Sequence, residues 1–140
     1  MAAEFNITHD KGTTFKFHAL YKDSAGDVID LAGQSARMQV RRSPDDTSLV
    51  LNITGSGVTS GGSTGEFVLG AGVAGTGGIT LNGSTVGAAG TTGGIYIEFD
   101  AASSAFLPTA RMFYDFELVN GEEVTRLIEG RFEAKANITR

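Results

Sequence analysis

Along most of this chain apolar and polar side chains alternate with a period of two, the spacing of strands with one buried face, which argues against a helical architecture. From Ser35 to Arg42, Ala36, Met38 and Val40 alternate with Arg37, Gln39 and Arg41, so one face is apolar and the other cationic. Thr13 to Lys22 sets Phe15, Phe17, Ala19 and Tyr21 against Lys16, His18 and Lys22. Leu49, Leu51 and Ile53 continue the pattern, which returns in Ile95, Ile97 and Phe99. Turn chemistry separates these stretches: Asp23-Ser-Ala-Gly-Asp27 and Ser43-Pro-Asp-Asp46 carry the residues that tight turns select. Val28 to Leu31 reads as a short strand or strand lead-in. Asp100 can cap a helical turn over Ala101 to Phe106, which Pro108 does not prolong.

The strongest short-range signal is Asn120-Gly121, flanked by Arg111 to Val119 and Glu122 to Arg131. A type I′ hairpin turn there sets Tyr114 opposite Leu127, Phe116 opposite Thr125, Phe113 opposite Ile128 and Asp115 opposite Arg126. With roughly seven or eight strands at short spacing, the expected fold is all-β. It is an antiparallel β-sandwich, jelly-roll or Ig-like. At 140 residues the expectation is a single domain over 1–140.

The alternation is interrupted by glycine. Of 20 glycines, 15 fall between Gly55 and Gly94, a stretch whose only charge is Glu66. It reads as a long Gly-rich extended loop at about 55–94. Within it, Gly72 to Ile79 resembles Gly87 to Ile95, each copy running into a β-like stretch, Ile79 to Asn82 and Ile95 to Glu98. Ordering a glycine costs roughly 0.5–1 kcal/mol more than ordering an alanine. Fifteen of them represent about 8–15 kcal/mol, against a domain stability of about 5–15 kcal/mol. The loop is therefore expected to need a partner to order it. Deleting Gly57 to Gly90 is expected to leave a folded sandwich that no longer attaches to that partner.

Several function classes fall away on composition. With no Cys there is no disulfide framework, thiolate metal site or cysteine nucleophile. Sixteen acidic against 11 basic residues give a net charge of −5, which argues against nucleic acid or an anionic membrane as the main partner. The first residues, Met-Ala-Ala-Glu-Phe, lack the basic and apolar regions of a signal peptide, so use without secretion is expected. Gly70-x-Gly72-x-x-Gly75 spells a dinucleotide fingerprint, yet Thr76-Gly-Gly-Ile-Thr is no helix start. Gly61-Gly-Ser63-Thr-Gly65 spells a nucleophile elbow without the strand and helix that an elbow needs, and its base would have to be His9 or His18. Asn-x-Ser/Thr sequons at Asn6, Asn52, Asn82 and Asn137 match what Thr-bearing strand edges carry anyway. Asp23 with Asp27, or Asp45 with Asp46, could hold a surface calcium ion, but turn chemistry accounts for them better. The expectation is no enzyme, no metal, no cofactor and no small-molecule substrate.

Arg37, Arg41 and Arg42 carry two readings. They form either the solvated face of a strand or a contact for an acidic partner surface, since arginine is enriched at interfaces.

Both ends of the chain resemble a family of small virion structural proteins of tailed bacteriophages, similar also to the Ig-like N-terminal domain of phage upper baseplate proteins. The likeness rests on Phe15-Lys-Phe-His-Ala-Leu-Tyr-Lys-Asp-Ser-Ala-Gly-Asp-Val-Ile-Asp-Leu31 and on Ala36-Arg-Met-Gln-Val-Arg-Arg42. It continues in Gly78-Ile-Thr-Leu81, Tyr114-Asp-Phe-Glu-Leu118, Val124-Thr-Arg-Leu-Ile-Glu-Gly-Arg131 and Asn137-Ile-Thr-Arg140. The chain departs from the family in the length and glycine content of its middle, and in lacking a long C-terminal arm. The resemblance implies a β-sandwich module of a virion, assembled in the host cytoplasm, with no catalytic residues.

Small proteins of this kind often act as capsid cement or decoration, so the expected partners are the major capsid protein and further copies of the chain, as dimers or trimers. Glu4, Phe5, Arg37, Arg41, Arg42, Gly57, Gly72, Val73 and Val86 are the candidate contact residues. A tail, neck or baseplate protein with the same sandwich is the alternative. A carbohydrate-binding module is a remoter one, because the chain has no Trp to display.

Overall fold

A computed structural model of the chain describes residues 3–46, 49–57, 63–69, 73–75, 77–83 and 92–136. Its strands follow the alternating stretches. They are β1 (Ala3–Glu4), β2 (Ile7–Asp10), β3 (Phe15–Leu20), β4 (Ser35–Arg41), β5 (Leu51–Gly57), β6 (Ser63–Leu69), β7 (Val73–Ala74), β8 (Gly77–Leu81), β9 (Gly94–Phe99), β10 (Arg111–Asn120) and β11 (Glu123–Lys135). One helical turn, α1 (Ala101–Ser104), sits between β9 and β10. Asp100 caps it as expected, its carboxylate accepting from Ser103 N at 2.8 Å. The turn at Asp23 also forms, Asp23 Oδ1 accepting from Ala25 N and Asp27 N. The Val28 stretch contributes only a single bridge, to Lys22.

These strands form one continuous sheet in the order β1-β11-β10-β4-β5-β8-β9-β3, curled into a half-barrel. The expected purely antiparallel arrangement is corrected, because β1 and β2 run parallel to β11 and β5 runs parallel to β8. Nor do the described strands divide into two separate sheets. The link is β5: it pairs with β4 along one edge, while its other edge pairs with β6 at Leu51 to Ile53 and with β8 at Gly55 to Gly57. The core lies inside the curl. Met38, Val40, Leu51, Ile53, Ile79, Leu81, Phe99, Met112 and Phe132 are fully buried there, each contributing about 1.5–3 kcal/mol.

The described residues of the Gly-rich stretch are not one extended loop: they include β6, β7 and β8, and β8 brings Ile79 and Leu81 into the core. Glycine at these positions has a packing reason rather than only an entropic cost: a Cβ on Gly55 would sit 1.8 Å from the carbonyl oxygen of Ile79. Only a residue without a side chain lets β5 and β8 run side by side. The β-like stretches of the two similar copies also find each other. They are the antiparallel neighbours β8 and β9, with Ile79 opposite Ile97 and Leu81 opposite Ile95.

The β10–β11 hairpin forms, but in another register. Asn120 pairs with Glu123, so the central turn residues are Gly121 and Glu122 rather than Asn120 and Gly121. Gly121 has φ +61° and Glu122 does not share the positive φ, the pattern of a type II′ turn. A bulge at Leu127 then shifts the pairing again. Glu117 faces Arg126, but Phe116 faces Ile128 and Tyr114 faces Gly130. The shifted register meets a steric constraint. The chain after β1 crosses Gly130 so closely that a Cβ there would lie 2.3 Å from Phe5 O. With Gly130 opposite it, Tyr114 is placed to donate its phenol hydrogen to that same carbonyl at 2.6 Å.

The two ends of the sheet order meet through rings. Phe5 packs edge-on against Phe17 of β3 at 5.7 Å. Phe15 of β3 stacks on Phe99 at 4.7 Å and lies 6.0 Å from Phe132 of β11. Among the described residues β3 hydrogen-bonds as a strand only to β9, so this seam is closed by aromatic packing.

Candidate functional site

The register of β1, β11, β10, β4 and β5 dictates what their outward faces present. Residues opposite one another on neighbouring strands share a face, so the outward positions line up in rungs across the sheet. The first rung is Arg41 on β4, Phe113 on β10 and Arg131 on β11. Two residues further along β10 comes the second, Asn52, Gln39, Asp115, Glu129 and Glu4. The third is Thr54, Arg37, Glu117 and Arg126. The first rung and, from the second, Gln39, Asp115, Glu129 and Glu4 line an open cleft of about 810 Å³, together with Asn6, Pro44 and Arg126.

The rungs differ in how their charges are matched. Arg37 Nε donates to Glu117 at 2.8 Å, and Arg126 lies 3.4 Å from Asp115, 3.5 Å from Glu117 and 4.0 Å from Glu129. Arg126 thus meets Asp115, the partner expected from sequence, although diagonally. Partial burial pushes the Asp115 carboxyl above its ordinary pKa, against the pull of Arg126 and with the push of Glu117 and Glu129. The first rung is different. Arg41 donates to neutral oxygens, Asp46 O at 2.9 Å and Gln39 Oε1 at 3.4 Å. Among the described residues neither Arg41 nor Arg131 forms an ion pair, and between them Phe113 is 39% exposed. Asn52 Oδ1, at the end of the second rung, is buried without a hydrogen-bond partner among the described residues.

Three of the contact residues expected from sequence, Glu4, Arg37 and Arg41, come together on this face. Arg42 does not join them, since β4 ends at Arg41 and Arg42 is exposed in the bend that follows. Phe5 lies at the aromatic seam, half exposed. Gly57 ends β5 opposite Leu81, and Val73 is in β7 opposite Leu69. Gly72 and Val86 lie outside the described residues. Phe113, Asp115, Glu129 and Arg131 were not among the expected contacts, because the type I′ register pairs Phe113 with Ile128 and leaves Arg131 off the rung. The signal in the sequence is Gly130, since a glycine inside a strand marks a bulge or a close backbone approach.

The two histidines that a nucleophile elbow would have needed as its base have separate fates. His18 is exposed on the Lys16 face of β3. His9 is buried, with Nε2 2.8 Å from Ser104 Oγ, among the rings of Phe15, Phe99 and Phe132. Burial lowers its pKa, partly offset by a backbone hydrogen bond to Thr13 and by Asp10. Ser104 also accepts from Gly12 N at 3.0 Å and is fully buried, so this pair ties α1 to the start of the chain and offers no substrate an approach. Ser63 opens strand β6, and Gly75 precedes strand β8 rather than a helix; Gly61, Gly62, Gly70 and Gly72 lie outside the described residues. Among the described residues no group of three or more His, Asp and Glu could hold a metal ion. No described helix is long and apolar enough to cross a membrane.

No protein-family model matches the chain, and its sequence finds no significant match among curated proteins.

Proposed function

We propose that this chain is a structural protein of a tailed-phage virion, a capsid decoration or cement protein that docks on the shell through the rung face of β1, β11, β10 and β4. The observation that carries the reading is that Glu4, Arg37 and Arg41, each singled out from sequence alone, share one continuous outward face. The motif resemblance supports it by supplying the virion context. So does the alternation of cationic and anionic rungs, which suits specific docking, since arranged charges fix register and exclude wrong partners. Spread over several neighbouring strands, such a face can bridge adjacent shell subunits, with further copies of the chain completing dimers or trimers.

The test is a copy count. Particles are purified and the protein is quantified against the major capsid protein by mass spectrometry. A stoichiometry in the hundreds per particle, following the shell lattice, is expected. A stoichiometry following the symmetry of a single tail overturns the placement on the head and assigns the chain to tail, neck or baseplate.

A further inference from the structure

Arg41, Phe113 and Arg131 form a rung whose two arginines have no carboxylate partner among the described residues, on a chain of net charge −5. The neighbouring rung reverses the sign, with Asp115, Glu129 and Glu4 in line; among the described residues Arg126 is the cation paired with Asp115 and Glu129, and it is shared with Glu117. Along a strand, consecutive outward positions are about 6.8 Å apart. The next side chain but one of any extended segment laid along β10 falls over the next rung.

We propose that this cleft binds an extended, mixed-charge segment of a partner protein. A carboxylate sits between Arg41 and Arg131 over Phe113, and a lysine or arginine two residues away sits over Gln39, Asp115 and Glu129. Phe113 supplies apolar contact to the stem of the acidic side chain, and the two guanidiniums offer paired donors suited to a carboxylate. A uniform polyanion fits poorly, because the charge that satisfies the first rung is repelled by the carboxylates of the second. For the same reason the site favours a protein segment over a nucleic-acid backbone. The proposal deepens the reading of this face as a docking surface and rests on it, naming the chemistry of the segment received.

The test uses the full chain and a fluorescein-labelled peptide, Ser-Thr-Glu-Val-Lys-Thr-Ser, followed by fluorescence anisotropy. Binding is expected to weaken with salt, and to weaken about tenfold in the double variant Arg41→Gln/Arg131→Gln. The double variant Lys16→Gln/Lys22→Gln, which changes net charge equally at positions that do not line the cleft, is expected to bind as the parent does. Asp115→Asn/Glu129→Gln is expected to weaken the mixed peptide while strengthening an all-glutamate peptide. The proposal is overturned if the arginine pair can be removed without loss, if the lysine pair matters equally, or if an all-glutamate peptide or an oligothymidylate binds the parent as tightly as the mixed peptide. If peptide binding fails while the protein still decorates particles, this inference falls and the docking reading stands; if the peptide binds but particles carry no copies, the reverse holds.

Discussion

Tyr114 directs its phenol hydrogen at the carbonyl of Phe5, joining residues 109 positions apart. Burial pushes its pKa up to about 12. The protonated form is thus favoured in the folded chain, so the stability it lends is complete below about pH 10 and is lost as pH climbs towards 12. Tyr114→Phe is expected to cost about 0.5–1.5 kcal/mol in urea unfolding and to flatten that alkaline loss. His9 behaves in the opposite sense at the acid end. Its folded pKa lies below the ordinary 6.5, so its contribution is complete above that value and declines as pH falls through the lowered pKa. A thermal-unfolding series from pH 7.5 to 5 is expected to show the midpoint falling, with a smaller slope in His9→Gln.

Alternation located β3, β4, β5, β9, β10 and β11, because a half-buried strand writes its face into every second residue. It failed where burial is two-sided. Residues 77–81 of β8 are partly or wholly buried on both faces, so a Gly-Gly-Ile-Thr-Leu strand leaves no alternating trace; its β-like residues are legible, but its place in the middle of the sheet is not. The hairpin register failed for a different reason. The observed register sets Gly130 against a chain segment remote in sequence, a constraint that local turn chemistry does not reveal. With the register went half of the candidate site, since Arg131 and Glu129 reach the face only through the bulge at Leu127. Two substitutions test the element contacts. Gly130→Ala is expected to cost roughly 1–3 kcal/mol by pushing the chain after β1 away, and Gly55→Ala to cost at least as much by separating β5 from β8. Guanidinium unfolding measures both, and loss of protection of the β8 amides in hydrogen exchange identifies the second.

Across the whole molecule, the place of β8 reverses the expected result of removing the glycine-rich stretch. Without residues 57–90 the sheet loses β6, β7 and β8, and β9 with β3 has no hydrogen-bonded route to β5. The shortened chain is expected to expose its apolar interior, with dye binding and collapsed amide dispersion in NMR, rather than to remain folded and merely detached. A cooperative unfolding transition in that variant would show that the two halves cohere through core packing alone. The parallel pairing of β2 with β11 has a mechanical consequence. The outward-leading ends of these two strands point in opposite directions, and Ile7 to Asp10 are matched to Phe132 to Lys135. Tension applied between those ends loads the ladder in shear, so its bonds bear the force together instead of parting one by one. In single-molecule pulling through these ends, rupture is expected to need a larger force than pulling across the β10–β11 hairpin, where the load peels bonds apart from the turn's open side. A molecule gripped by those two strands would hold under strain like a lap joint.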